Sequence, residues 1–370
     1  MNAVDAATAS ASVREQVRAA RTLVVKIGSS AFTSAGVGVD VAKLDSLVDA
    51  IAGRIEAGGK VLVVSSGAVA AGLAPLGLPR RPQDHLTQRA AASVGQSALA
   101  LAWGASFARY GKVVGQVLLS VQDFSIREHN ANAQRTLNRL ISLGAVPVIN
   151  ENDVVSTATV RLGDNDRVAA LVAHLVGAEA LVLLSDVDGV YDRNPQEPGA
   201  VRLDLVASAA DLDGVTAKGG SGLGTGGMES KLRAARMAAD AGVPVLVTSA
   251  PRGAEALLEG RSGTVFAPRA PRLSARKFWI RHAAEPAGSL VLDDGAVRAV
   301  TADRKSLLIA GVKAALGEFR AGDVVVFADQ RGAQVARGVA GYGAVELSEA
   351  LAGRGELAKP VVHADDVVPF

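Results

Sequence analysis

Hydrophobic and polar positions alternate between two periods over the first 250 residues of the chain. Short apolar runs rich in β-branched residues have the length of buried strands, and they lie at Thr22–Ile27, Lys60–Val64, Val113–Leu119, Ala145–Ile149, Ala180–Leu184 and Val243–Thr248. Amphipathic or alanine-rich stretches of helical length lie between most of them, at Val41–Ala57, Thr87–Ala108, Asn130–Leu143, Asp166–Val176 and Met228–Ala241. Strands that alternate with helices predict an α/β fold, a three-layer αβα sandwich around an open, mostly parallel sheet.

The pattern changes after about residue 260. Residues 261–274 are rich in Arg, Pro, Gly and Ser, which predicts a linker. Beyond it the apolar runs are shorter and closely separated by turn residues, at Phe278–Ile280, Ser289–Leu292, Ala296–Val300, Leu307–Ile309, Asp323–Phe327 and Gln334–Val339. This spacing predicts a small, mostly-β barrel. We therefore divide the chain into an N-terminal extension (1–20), an α/β domain (21–260), the linker (261–274) and a β domain (275–370).

Composition and charge narrow the class of protein. A chain of 370 residues exceeds one typical hydrophobic core, which supports two domains. The net charge of +2 gives no sign of a nucleic-acid or membrane surface, and the lack of cysteine excludes disulfides, thiolate metal sites and a cysteine nucleophile. The start of the chain lacks the apolar core of a signal peptide, and no apolar run approaches the roughly 18 residues of a membrane span. We expect a cytoplasmic protein.

Two polar clusters follow the predicted strands. Residues Asn150–Asp153 come directly after one apolar run, and Asp164–Asp166 opens the next helical stretch. Ligands of open α/β sheets bind outside the carboxyl ends of the strands, so we expect the clusters to lie together and to offer carboxylates and amides to an amino group or a metal. A helix start with Asp164 as N-cap explains the second cluster on structural grounds alone, but it leaves Glu151 and Asp153 without a cause.

Two strand ends suit an anion. Lys26 lies near the end of the first strand and is followed by Gly28 and Ser29, while the second strand runs into Ser66 and Gly67. Such loops direct backbone N–H groups at an anion, and a lysine neutralises it. The alternatives are a lysine whose ammonium reaches solvent and an ordinary serine N-cap.

A glycine-rich segment precedes the helix that begins near Met228. Six of the nine residues from Gly219 to Gly227 are glycine, and Lys231 falls in the first helical turn. The letters Gly-x-Gly-x-x-Gly occur here, but the preceding residues are polar and no Gly-Lys-Ser/Thr follows, so we exclude a dinucleotide fingerprint and a Walker A loop. The alternative is a mobile surface linker. The fifth strand ends in Ser185 and Asp186, followed by Asp188, and the two aspartates suit a metal or a nucleotide, or an Asx turn with Gly189.

Two lysines on phosphate-binding loops, with carboxylates and amides at neighbouring strand ends, favour phosphoryl transfer, which needs positioning and charge neutralisation more than a covalent nucleophile. The motifs together resemble the glutamate 5-kinase family of the amino acid kinase superfamily. The matching pieces, in the family's order, are VVKIGSS around Lys26, VSSGA around Ser66, INEND from Ile149, GDND from Gly163 and GTGGMESK from Gly224. The resemblance runs from Thr22 to Phe370, and its C-terminal part is similar to a PUA domain.

This resemblance implies ATP-dependent phosphorylation of the L-glutamate side-chain carboxylate to L-glutamyl 5-phosphate, the first step of proline biosynthesis. Lys26 and Lys231 would stabilise the transition state, and Asp166 would orient them. Residues expected to bind glutamate are Ser66, Asn150, Asp153 and Asn165. Residues expected to face ATP are Lys26, Gly28, Ser29, Ser185, Asp186, Thr225, Gly226, Gly227, Met228, Glu229, Ser230 and Lys231. Mg²⁺ is expected with ATP, and no residue is assigned to a metal.

The resemblance also implies a homo-oligomer (a dimer or a tetramer), feedback inhibition by proline and a downstream glutamyl phosphate reductase as a possible partner. Two alternatives stay open. Another kinase of this fold, acting on aspartate, acetylglutamate or UMP, would share both lysines. An RNA-binding role of the PUA domain has basic residues between Arg269 and Arg281 in its favour, but few aromatic residues for stacking, so RNA is not the expected partner.

Overall fold

The computed structural model describes residues 3–34, 38–155, 164–215, 227–269 and 272–370. It divides the chain into two compact units, Met1–Arg272 and Leu273–Phe370. The helices described in the first unit are α1 (Ala3–Ala19), α2 (Val41–Glu56), α3 (Ala68–Leu73), α4 (His85–Ala108), α5 (Val121–Ser125), α6 (Arg127–Ser142), α7 (Asn165–Leu175), α8 (Met228–Asp240) and α9 (Gly253–Glu259). Its strands are β1 (Thr22–Ile27), β2 (Thr33–Ser34), β3 (Gly38–Val39), β4 (Lys60–Ser65), β5 (Val114–Leu119), β6 (Val146–Glu151), β7 (Ala180–Ser185), β8 (Leu205–Val206), β9 (Val245–Ser249) and β10 (Thr264–Phe266).

The strands of the first unit build the predicted open sheet. Among the described residues it has eight strands in the order β5-β6-β4-β1-β7-β9-β10-β8, and β10 is antiparallel to β9. The six predicted strands are confirmed within two residues at each end. The sheet also corrects part of the predicted linker, because Thr264–Phe266 is the buried strand β10. Three apolar positions among Arg and Gly residues are too few to indicate a strand by periodicity.

The two faces of β1 show how the sheet is covered. Leu23, Val25 and Ile27 belong to the core that α1, α2, α4 and α9 also enter. Because side chains alternate along a strand, Lys26 lies on the opposite face, where α7 packs across β1. Helices on both faces confirm the three-layer sandwich.

Helix α1 was not predicted, and it lies within the stretch assigned as an N-terminal extension. Its Val13 and Val17 are buried in the core of the first unit. Arg54 of α2 donates from Nη2 to the carbonyl oxygens of Val17 and Ala20, which satisfies backbone acceptors at the end of α1. None of the helices in the described ranges combines the length and apolarity needed to cross a membrane.

The second unit is mostly β, as predicted. Its strands are β11 (Gly288–Leu292), β12 (Val312–Gly317), β13 (Val324–Ala328), β14 (Gln334–Val339) and β15 (Val367–Pro369), and its helices are α10 (Ala275–Phe278), α11 (Asp294–Thr301) and α12 (Ala344–Leu351). Described residues form a five-stranded sheet in the order β12-β11-β13-β14-β15. Two predicted apolar runs are helical instead. In the run Phe278–Ile280, the first residue is the last of α10 and the other two lie in a π-turn. The run Ala296–Val300 lies in α11. Ala296 and Val300 are buried one helical turn apart, a spacing that a five-residue run does not reveal.

Candidate functional site

A buried ion-pair cluster lies at the carboxyl ends of the central strands. Lys26 Nζ is 2.6 Å from Asp166 Oδ1, and Lys231 Nζ is 3.4 Å from Asp166 Oδ2. Ser230 donates its hydroxyl to Asp166 Oδ2 at 2.8 Å. The three charged residues are each at most 5% exposed. The structure thus brings together the three residues that the sequence selected for catalysis.

The order of the strands explains this meeting. β1 lies between β4 and β7, and the chain leaves β1 towards β4 but leaves β7 towards β9, which makes β1 and β7 a topological switch point. α7 joins β6 to β7 by crossing over β1, so its first turn lies at the carboxyl edge of the sheet. α8 precedes β9 and starts at the same edge. Asp166 is the second residue of α7, and Lys231 is the fourth residue of α8.

Electrostatics fix the charge of the cluster. Burial acts to raise the pKa of the Asp166 carboxyl, but the charges of Lys26 and Lys231 outweigh it and hold that pKa at about 2. Burial lowers the pKa of the Lys231 ammonium, an effect that Asp166 and the exposed Asp186 oppose. At neutral pH the Asp166 carboxylate therefore lies between two ammonium groups, so these three residues carry one net positive charge, which Asp186 near Lys231 reduces in part. This field favours an anion such as a phosphoryl group.

An amide network joins the two polar clusters. The backbone N–H of Glu151 donates to Asn150 Oδ1 at 2.9 Å and to Asn165 Oδ1 at 3.0 Å. Asn150 Nδ2 in turn donates to Oε1 of Gln96 at 2.7 Å. Because the Glu151 N–H fixes both carbonyl oxygens, the NH₂ groups of Asn150 and Asn165 are directed away from it as hydrogen-bond donors.

Asp153 faces a cavity of about 240 Å³ beside this network. Its carboxylate is buried, and Oδ1 accepts no hydrogen bond from any residue of the described ranges. Burial raises the pKa of Asp153 to about 6, although the nearby positive charge of Arg81 acts against that rise. A buried carboxylate oxygen without a donor costs free energy unless a ligand supplies one, and an ammonium group fits that need. The remaining lining residues are Ala68, Ala92, Ser93, Gln96, Ser97, Gln116, Leu118, Glu151, Asn152 and Val154.

The other residues selected from the sequence lie on the neighbouring loops. Gly28 donates its N–H to the Leu184 carbonyl oxygen at 3.1 Å, which joins the ends of β1 and β7, and Ser29 starts a 3-10 turn. Ser66 donates its N–H to Ile27 O at 3.2 Å, and Gly67 takes a positive φ of 99° as the N-cap of α3. Ser185 ends β7 and donates its hydroxyl to the carboxylate of Asp186 at 2.9 Å.

The segment that was expected to face ATP is described only in part. Gly227 is the N-cap of α8, and Met228, Glu229, Ser230 and Lys231 form its first turn. Thr225 and Gly226, which were also expected to face ATP, lie outside the described residues. Asp164 is the N-cap of α7, which was the structural explanation considered for the second polar cluster. Its carboxylate accepts a hydrogen bond from the Arg167 N–H at 3.3 Å. Its neighbour Asp166 is the residue that joins the ion-pair cluster.

Three polar residues near the site were not predicted from the sequence: Gln96, Gln116 and Arg81. Gln96 is a polar residue within the alanine-rich helix α4, which was the available signal. Two glycines set the position of α4 against α3, because a Cβ at Gly95 would lie 1.8 Å from the Ala68 carbonyl oxygen and one at Gly72 1.9 Å from Ala91 O. Backbone therefore packs on backbone here, next to the cavity.

The described ranges hold no group of three or more His, Cys, Asp or Glu side chains arranged to bind a metal ion. Magnesium usually keeps several waters and binds through substrate phosphates with one or two carboxylates. The exposed Asp186 beside Lys231 is a carboxylate that such an ion could use when it arrives with a nucleotide.

Comparison with known proteins gives a family for each unit. The profile of the amino acid kinase family matches residues 21–249, and that of the PUA domain matches residues 288–362. A glutamate 5-kinase of Nocardia farcinica (strain IFM 10152) is 61% identical over 363 residues, which covers 96% of this chain and 98% of that protein. Glutamate 5-kinases of Rhodococcus opacus (strain B4) and Mycobacterium avium (strain 104) are 58% and 56% identical over 362 residues, which cover 96% of this chain and 99% and 98% of those proteins.

Proposed function

This chain belongs to the amino acid kinase family, and we propose that it transfers the terminal phosphoryl group of ATP to the side-chain carboxylate of L-glutamate. The product is L-glutamyl 5-phosphate, the first intermediate of proline biosynthesis. The observation that carries the proposal is the buried Lys26–Asp166–Lys231 cluster at the switch point of the sheet. A substrate carboxylate is already ionised at neutral pH, so the reaction needs no general base. It needs the repulsion between anionic groups to be neutralised, which two ammonium groups do.

Each part of the cluster then has a task. Lys26 and Lys231 stabilise the charge that develops on the transferred phosphoryl oxygens. Asp166 acts as a positioning residue. One of its carboxylate oxygens contacts Lys26 and the other contacts Lys231, so both ammonium groups are directed at the same phosphoryl group. The place of Asp166 in the first turn of α7 also favours its negative charge, because the N-terminus of a helix is positive.

The amide network and Asp153 bind the amino-acid substrate. Asp153 pairs with the α-ammonium group, which supplies the hydrogen bond that its buried oxygen lacks among the described residues. The NH₂ groups of Asn150 and Asn165 donate to substrate oxygens. Ser66, on the loop after β4, contributes its hydroxyl from the next strand of the sheet.

ATP binds at the carboxyl end of β7 and at the N-terminus of α8. The first turn of α8 presents backbone N–H groups and Lys231 to the phosphates, and Gly28, Ser29, Ser185 and Asp186 line the neighbouring strand ends. Thr225 and Gly226 belong to the same proposed binding segment. Mg²⁺, bound to the phosphates, would neutralise part of their charge.

One assay tests this function. Purified protein is incubated with ATP, Mg²⁺, hydroxylamine and one acceptor, and the trapped acyl phosphate is measured as hydroxamate alongside ADP release. We expect γ-glutamyl hydroxamate from L-glutamate and background ADP release with aspartate, acetylglutamate or UMP. Turnover of one of those three acceptors without turnover of glutamate would assign another kinase of the same fold.

Inhibition, assembly and location follow from the same function. Proline would compete with glutamate, since its ammonium group fits Asp153. The chain would act as a homo-oligomer, a dimer or a tetramer, in the cytoplasm. Its acyl phosphate product is unstable in water, so a glutamyl phosphate reductase that consumes it is the expected downstream partner.

A further inference from the structure

Gln96 lies where the cavity meets the amide network. It is on α4, one residue after Gly95, whose close approach to α3 fixes this part of the helix. The side chain of Gln96 lines the same cavity as Asp153. It also contacts Asn150 through the 2.7 Å hydrogen bond. Gln96 therefore connects a proposed substrate residue with the space that the substrate would occupy.

The orientation of the Gln96 amide follows from one backbone donor. The Glu151 N–H can only donate, so the Asn150 oxygen faces it and the Asn150 NH₂ group faces Gln96. Gln96 must then present its oxygen to Asn150, which leaves its own NH₂ group on the other side of the amide. Among the described residues, Nε2 of Gln96 has no acceptor.

The cavity thus holds a hydrogen-bond acceptor and a hydrogen-bond donor. Asp153 brings a buried oxygen that accepts no hydrogen bond among the described residues, and the half-buried Gln96 brings an amide donor to the same cavity. An α-amino acid carries an ammonium group and a carboxylate on the same carbon atom, so it satisfies both. Resting on the function proposed above, we propose that Gln96 is a positioning and specificity residue, which holds the Asn150 amide and donates from Nε2 to the α-carboxylate of the substrate.

Two substitutions separate these two tasks. Gln96→Glu keeps an oxygen that accepts from Asn150 but replaces the donor by a second anionic oxygen. We expect it to raise the KM for glutamate by about 100-fold, the scale of a lost hydrogen bond to a charged group, while kcat and the KM for ATP change less than about 3-fold. Gln96→Met loses both contacts, so kcat should also fall because the Asn150 amide is no longer held. Gln16→Glu, on the exposed face of α1, makes the same charge change elsewhere and serves as the control.

Substrate fragments identify the group that Gln96 binds. 4-Aminobutyrate lacks the α-carboxylate and glutarate lacks the ammonium group, and both are tested as competitors of glutamate. In Gln96→Glu the inhibition constant of glutarate should rise together with the KM of glutamate, while that of 4-aminobutyrate should stay within about 3-fold of its original value. An equal rise for both competitors, or an unchanged KM for glutamate, would overturn the inference.

Calorimetric titration of glutamate into the same variants gives a readout that does not need turnover. We expect glutamate to bind tightly to the unaltered protein and at least about 10-fold more weakly to Gln96→Glu. This result supports the inference even if the phosphorylation assay is negative. If the unaltered protein phosphorylates glutamate and Gln96→Glu binds glutamate with the same affinity, only the role of Gln96 is refuted and the proposed function stands.

Discussion

The carboxylate of Asp166 lies 2.6 Å from the ammonium of Lys26, and both side chains are buried beneath the carboxyl edge of the sheet. Lys231 reaches the other oxygen of the same carboxylate at 3.4 Å. A buried charge costs free energy of folding unless it is paired with an opposite charge, so loss of one member of the cluster affects the others. We propose that its positive charge stabilises the transferred phosphoryl group, and changes of its members should separate charge neutralisation from positioning.

Lys231→Met removes one ammonium group and keeps an apolar side chain of similar length. We expect kcat to fall by about 100- to 1000-fold, the range seen when one charge-stabilising group is lost, with a small change in the KM for glutamate. The measurement is the initial rate of hydroxamate formation at saturating ATP. Lys359→Met, at an exposed position, is the control. A near-normal kcat in Lys231→Met would contradict the role given to this lysine.

Asp166→Asn should act through the lysines. Without the carboxylate, the two ammonium groups repel each other, and the pKa of Lys231, already lowered by burial, falls further. The loss of kcat on the alkaline side should therefore begin at a lower pH than in the unaltered protein. A pH profile of kcat measures this shift. Asp164→Asn retains an N-cap residue and should move the profile less, so equal shifts in the two variants would argue against a specific role of Asp166.

Asp153→Asn tests the ammonium site. The KM for glutamate should rise by about 100-fold because a desolvated charge pair is lost, while the affinity for glutarate, which has no ammonium group, should not fall. In the unaltered protein the KM for glutamate should rise as the pH falls through about 6, where Asp153 takes up a proton. A KM that is constant from pH 7.5 to 5 would show that Asp153 does not contact the substrate.

The same variant has a predicted effect on stability. The folded protein raises the pKa of Asp153 from 3.8 to about 6, so the folded state binds this proton more tightly than the unfolded chain. Above pH 6 the buried charge therefore costs stability, up to about 3 kcal/mol by the conversion of pKa units, and the cost disappears as the pH falls towards 3.8. Asp153→Asn should be more stable than the unaltered protein at pH 7.5 and about equal at pH 4. Urea unfolding at both pH values measures this, with the exposed Asp213→Asn as control.

Long, periodic segments made the first unit predictable. Strands β1, β4 and β7 are continuous apolar runs, and their polar ends meet because parallel strands share one carboxyl edge. For that reason the polar residues after the strands could be placed at one edge of the sheet, whereas the pairing of Asp166 with Lys26 was implied by the resemblance to the kinase family. Helix α11 could not be predicted from the sequence, because its apolar residues are as few as those of a short strand. Only packing decides between a helix and a strand there.

Gln96 could not be selected from the sequence for a different reason. Its contact with Asn150 depends on how α4 packs, and the close contact of Gly72 and Gly95 between α3 and α4 sets that packing on the α3 side. No local pattern encodes such a contact. Helix α1 was missed because it buries only a narrow stripe around Val13 and Val17, and most of its other described residues are exposed or half-buried.

Two glycines of α4 allow the helix contact itself to be tested. A Cβ at Gly95 would lie 1.8 Å from the carbonyl oxygen of Ala68, a distance that forces the backbones of α3 and α4 apart. Gly95→Ala should therefore cost about 3 kcal/mol of unfolding free energy or more, as overpacked sites do. A Cβ at Gly104, on the same helix, meets no atom within 4 Å, so Gly104→Ala should gain about 0.5–1 kcal/mol from helix propensity. Folded Gly95→Ala should also bind glutamate more weakly, because the displaced helix carries Gln96 away from Asn150. Urea unfolding and glutamate titration of both variants check this, and equal stability of the two would mean that α3 and α4 do not pack backbone on backbone.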